Sequence, residues 1–211
     1  MEVGASTVPR RGRPKTFDRD RVIDVAMDCY WREGTDAIPL NELGRRAQVS
    51  KPGIYREFGG EDGLMDAVLA RYAETVLAPT WELTTHDRPF AEVLTTLVGF
   101  MTSADGSRPA GCLLSMMRVL SSDLGPATTA RVEALGAHAR GIYADWVERA
   151  KSRGEIASGV PTTVAAAFID TQFTMLLVQM ALGADPELLR AQAGLAFAGL
   201  VGAVIDPSSG A

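Results

Sequence analysis

Residues 39–60 read Pro39-Leu40-Asn41-Glu42-Leu43-Gly44-Arg45-Arg46-Ala47-Gln48-Val49-Ser50-Lys51-Pro52-Gly53-Ile54-Tyr55-Arg56-Glu57-Phe58-Gly59-Gly60. Leu40, Leu43 and Ala47 fall at three- and four-residue steps, so the segment opens as a short helix with one apolar side. Gln48-Val49-Ser50 breaks it. The Ser50 hydroxyl is placed to accept a first-turn amide and so to cap a second short helix over 51–57. Pro52 fits there because first-turn amides lack partners within the helix. Two short helices joined by about three residues make a helix-turn-helix, and Gly59-Gly60 closes it.

Upstream, Val22, Ile23, Ala26, Cys29 and Tyr30 mark one face of a helix from Asp18 to Gly34, with Asp20, Asp24 and Asp28 on its wet side. Residues 1–16 have no apolar period and contain Pro9, Gly12 and Pro14, which reads as a flexible basic arm. Downstream, a helix runs from Glu61 past Leu64, Val68 and Tyr72 to about Leu77. Five more are expected, with breaks near Pro79, 105–109, 125–126, 154–161 and 183–186. The last two, 161–182 and 186–204, are apolar nearly all round, and a subunit interface is the economical way to cover them. The predicted fold is all-α: an arm (1–16), a helix-turn-helix domain (17–60), and a helical ligand-binding and dimerisation domain (61–205).

The net charge of −5 is unevenly spread. Residues 1–60 carry 11 Lys/Arg against 9 Asp/Glu, and residues 61–211 carry 10 against 17. Phosphate is neutralised locally, so a basic N-terminal segment fits a DNA partner in spite of the acidic total. The acidic larger part argues against a protein that merely coats DNA. The two cysteines form no CxxC pair and sit in apolar stretches, as in a reducing cytoplasm. No unbroken apolar run reaches the roughly 18 residues of a membrane span. His86 and His138 are the histidines, with no HExxH, phosphate-binding glycine loop or ligand-spaced cysteines, so neither an enzyme, a metal nor a cofactor is expected.

The stretch from Phe17 to Tyr72 resembles the tetracycline-repressor-like (TetR) family of bacterial regulators. The residues that carry the likeness are Gly-Arg-Pro at 12–14, Ala26, Cys29-Tyr30-Trp31, Gly34, Leu40, Leu43, Ala47, Val49-Ser50, Ile54-Tyr55, Phe58-Gly59 and Leu64. The resemblance implies a repressor that acts as a homodimer on double-stranded operator DNA and responds to a small apolar or amphipathic ligand. It implies that Tyr55 gives its hydroxyl to a phosphate, although the ring could instead pack the small helical core. Glu61, Pro39 and Gln48 depart from the family pattern, which commonly has a lysine, a Ser or Thr, and a glycine there.

In a helix-turn-helix the second helix enters the major groove N-terminus first. Ser50 and Lys51 then lie at the DNA, with Lys51, Gly53 and Arg56 reading or approaching base edges and Pro52 making an apolar contact. Gly53 is expected to let the backbone come close. Arg45 and Arg46 are candidate phosphate clamps, and Arg11, Arg13 and Lys15 of the arm suit a narrow minor groove.

For the ligand, Trp81, Phe100, Met101, Met116, Met117, Tyr143, Trp146, Phe168, Gln172 and Met175 are candidate walls, with simple core packing as the alternative. Cys112 opens a Gly-Cys-Leu-Leu segment near a helix start, where a thiolate is favoured. Family members with a similar segment respond to electrophiles or oxidants through that cysteine; an inert core thiol is the other reading.

Overall fold

The computed structural model describes residues 17–103, 106 and 108–202, and these are helical throughout with no strand among them. The arm, with Arg11, Arg13 and Lys15, lies outside the described residues.

Helix α1 (Arg19–Glu33) starts where the Asp18 carboxylate accepts the Arg21 amide at 3.1 Å, and it stops at Gly34, whose φ of +92° suits glycine. Its inner face is Val22, Ile23, Ala26, Cys29, Tyr30 and Trp31, all buried. Helix α2 (Leu40–Ala47) and helix α3 (Lys51–Phe58) follow, joined through Gln48 in the left-handed region at φ +60°. They meet so closely that a Cβ on Gly44 would lie 2.9 Å from the Val49 carbonyl oxygen. Ser50 caps α3, its Oγ accepting the Gly53 amide at 3.2 Å.

Helix α4 (Glu61–Tyr72) does not break at Pro79, contrary to the sequence expectation. It widens into a π-helical turn at Ala73–Leu77 and continues as α5 (Ala78–Glu82). The Ala78 amide reaches back five residues to the Ala73 carbonyl. Proline has no amide to donate to the carbonyl four residues back, and the π turn shifts the register just ahead of it. The expected single helix over 79–105 is in turn divided. A short 3-10 turn (Leu83–Thr85) ends α5, and α6 (Phe90–Met101) begins after Pro89.

Helices α7 (Leu113–Val119), α8 (Pro126–Ser152), α9 (Thr162–Ala181) and α10 (Pro186–Gly202) complete the body, α9 packing on α8, α7 and α10. One continuous apolar core runs from Val22 and Ile54 through Leu64 and Tyr72 to Trp146 and Phe173. Helix α9 is long and apolar enough, by length and composition, to cross a bilayer. Half of it is buried against its neighbours, however, and its Asp170 is ion-paired with Arg118.

Candidate nucleic-acid interface and internal cavity

Helix α3 buries Ile54 and Gly53 and turns Lys51, Pro52, Tyr55 and Arg56 to solvent. The Tyr55 ring is a surface group, half exposed, resting on Gly60 with the Lys51 ammonium 5.8 Å from its centroid. It does not fill the helical core. Packing within the protein also favours glycine at position 53. Gly53 faces inward, where a Cβ would press on the Phe17 ring at 3.3 Å.

The two arginines of α2 differ. Arg45 is 73 % exposed along its side chain, held by a two-pronged contact to Glu42 at 2.7 Å. Arg46 lies back, donating to Glu42 at 2.9 Å and to Glu33 of α1, which makes it a brace between α1 and α2. Hydrogen bonds from Arg45 and then Arg46 hold the Glu42 carboxyl down at about 2. Glu42 thus holds Arg45 outward through Nε and Nη2 and leaves its Nη1 donors facing solvent.

A cavity of about 60 Å³ opens between α4, α5, α6, α7, α8 and α9. Of the expected walls, Trp81, Phe100, Met101, Cys112 and Tyr143 line it. Six others do not, and the placement of each has a reason. Trp146 is sealed in the core against Phe90, ring centroids 4.2 Å apart. Phe168 meets Phe197 of α10 edge-on at 5.6 Å. Met116 lines a separate hollow beneath the α1–α2 loop with Tyr30, Thr35 and Met117. On α9 the cavity takes Asp170, Phe173, Thr174 and Leu177, spaced three, four and seven residues apart, which turns Gln172 aside and leaves Met175 exposed.

The sequence reading missed that stripe, along with Tyr72, Ser115 and Arg118. Asp170 was its one legible signal, a carboxylate inside an otherwise apolar helix. Its oxygens accept from Arg118 at 3.0 and 2.8 Å, and Thr174 accepts from the same guanidinium at 3.1 Å. Cys112 is buried at the start of α7. The neighbouring Tyr72 hydroxyl accepts the Leu113 amide at 3.2 Å, its own acidity suppressed by burial and by Cys112.

The family model described as "Bacterial regulatory proteins, tetR family" matches residues 22–68. The HTH-type transcriptional repressor ComR of Escherichia coli (strain K12) is 30% identical over 190 residues, covering 87% of this chain and 89% of that protein. The chain belongs to the TetR family of bacterial transcriptional regulators. Among solved structures, the TetR family regulator CifR, a cysteine mutant complexed with 26-base-pair operator DNA, superposes with a TM-score of 0.78 at 22% identity, over 90% of this chain and all of that one. Reduced NemR of E. coli superposes with a TM-score of 0.70 at 14% identity, over 83% and 94% of the two chains.

In this TetR regulator α3 and the cavity are linked by α4. Its N-terminal end adjoins α3 through Gly59-Gly60, and its last residue, Tyr72, lines the cavity. Asp62 fastens this helix to the body. Its carboxylate caps α8, accepting the Ala127 and Thr128 amides at 2.9 and 2.8 Å and the Thr128 hydroxyl at 2.7 Å. Partial desolvation pushes the Asp62 carboxyl upward, but these hydrogen bonds outweigh it and leave it below its ordinary value. Gly125 leaves room for the carboxylate, since a Cβ there would lie 2.3 Å from its carbon. One turn further on, Arg131 pairs with Asp66 at 2.8 Å. On the other side Arg71 ties α4 to Asp20 and Asp24 of α1. The pair Glu61-Asp62 is therefore split in role: Glu61 is exposed, while Asp62 belongs to the joint.

Proposed function

We propose that this chain is a cytoplasmic repressor that binds double-stranded operator DNA as a homodimer and is released by a small apolar or amphipathic molecule in the cavity. The outward row of Lys51, Pro52, Tyr55 and Arg56 on a helix whose inner face is locked by Ile54 carries this reading. Such a helix meets base edges with its N-terminal residues, and Tyr55 and Arg45 hold the backbone. The basic arm adds minor-groove contacts. ComR is named a repressor, and CifR was solved on operator DNA, which supports the same role here.

Two reading helices must meet successive major grooves, which calls for a twofold dimer. The outward apolar residues of α9 and α10, among them Val164, Met175, Leu188 and Leu195 (80 % exposed), suit that contact. A molecule in the cavity would press on Tyr72 of α4 and on Tyr143 of α8, the two helices that Asp62 joins, and so shift the spacing of the reading helices.

Fluorescence anisotropy on the chain's own upstream DNA, at two salt concentrations and with random competitor, tests the proposal. Competitor-resistant binding with a steep salt slope, lost in Tyr55→Ala, is the expected result. Binding that random DNA removes contradicts it.

A further inference from the structure

The cavity's polar lining carries, among the described residues, two guanidiniums, five hydroxyls and a single carboxylate. Arg118 stands at its inner wall, and Arg108 lies with its guanidinium 4.1 Å over the Phe100 ring, donating to that residue's carbonyl. Neither group has any acceptor capacity. A third guanidinium, that of Arg140, sits behind them 3.5 Å from Asp170. Among the described residues Asp170 is the one carboxylate on the cavity wall, and Arg118 donates to both its oxygens. Burial raises the Tyr72 and Tyr143 phenols, so they too stay neutral hydroxyls at physiological pH. Among the described wall residues the Arg118–Asp170 pair is neutral and Arg108 leaves one positive charge in excess, around a partly enclosed apolar chamber where Coulomb interactions are less screened than at the surface. An entering cation meets like charge and finds the carboxylate taken. An entering hydrocarbon displaces water from the guanidiniums and offers nothing in return.

We propose that the effector is a small organic anion, a single ring or short chain ending in a carboxylate. The inference rests on the reading of this cavity as the effector site and names the class of molecule it takes. The carboxylate sits between Arg108 and Arg118, and the apolar part lies against Trp81 and Phe173. Size is limited as well. A volume of about 60 Å³ holds on the order of four waters, which corresponds to roughly six to nine heavy atoms once the side chains relax.

Three single-ring probes that differ in charge test the class: benzoate, benzamide and benzylamine, titrated into the full chain by calorimetry at low salt. Benzoate is expected to bind about tenfold or more tighter than the other two, the effect of one charged hydrogen bond. Arg108→Gln, at a half-exposed position outside the core, should erase most of that preference. Thr80→Trp, which places an indole in the cavity from a half-buried position, should abolish binding altogether.

Benzamide or benzylamine binding as well as benzoate, with Thr80→Trp blocking both, overturns the anion and leaves the cavity as effector site. Benzoate binding untouched by Thr80→Trp overturns both, because the molecule is then held elsewhere. Failure of all three probes to bind overturns the single-ring anion.

Discussion

The reading face and the cavity lie at opposite ends of α4 and are built in opposite ways. Most of what shapes the reading face comes from residues 39–60, with Phe17 and Glu33 supporting it from outside. Ser50 caps α3, Gly44 lets α2 and α3 approach, and Ile54 fixes which side of α3 is turned inward. The cavity draws on Tyr72, Trp81, Met101, Cys112, Tyr143 and Phe173, spread over a hundred residues and six helices. A site specified locally can present exposed side chains that do little for stability. A site assembled from distant helices is also the core, and its walls cannot be changed without disturbing the fold.

That contrast makes ordered predictions. Phe173→Ala, in the cavity wall and 2 % exposed, should cost about 3–5 kcal/mol of stability in a denaturant titration. Operator affinity of the folded fraction should stay within about threefold of the parent, since no DNA-facing group moves. Tyr55→Ala should do the reverse. On the proposed dimer it would remove two phosphate contacts, so affinity should fall about 100-fold by anisotropy. Stability changes by no more than about 0.5 kcal/mol, because Tyr55 is a surface residue. If Tyr55→Ala unfolded the protein, the separation of the two regions would be wrong.

Smaller effects probe the joint between them. Asp62→Ala removes the cap of α8 and should cost about 1 kcal/mol. Its sharper signature is that cavity ligands still bind by calorimetry while their effect on operator affinity shrinks. An unchanged ligand effect would show that Asp62 has no part in coupling.

The smallest effect is one of pH. The Glu42 carboxyl, held at about 2 against an ordinary 4.5, adds stability that is fully present above 4.5 and disappears as pH falls towards 2. Melting curves of the parent and Glu42→Gln should therefore differ at pH 6 and converge near pH 2. A difference that grows on acidification would contradict the ion-pair assignment.

Much of the fold was legible in the sequence for the same reason that the reading face was. The cap at Ser50, the break at Gly34 and the period of Val22, Ile23, Ala26 and Tyr30 are local signals, and the helices stand where those signals place them. Pro79 misled because a proline's effect depends on what its neighbours can absorb, and a π turn at Ala73–Leu77 absorbed it. Pro89 starts a helix at a place where periodicity alone showed no boundary.

In the cavity, five aromatic, methionine and cysteine positions were identified from residue type, and five others of the same types lie elsewhere. Residue type does not state which face of an all-round apolar helix turns inward. On α9 that face is set by the Asp170–Arg118 pair, and the partner lies 52 residues away. Arg46 shows the same limit on a polar residue. Its sequence neighbourhood matches that of Arg45, but contact with Glu33 of α1 makes it a brace.

The central claim is that two copies of α3 read one operator through Tyr55 and its neighbours. Hydroxyl-radical footprinting of the full chain on its own upstream DNA tests it most directly. Two protected patches one helical turn apart, about 34–36 Å, both lost in Tyr55→Ala, are the expected result. A single patch, protection without that spacing, or a footprint unchanged by Tyr55→Ala would contradict it.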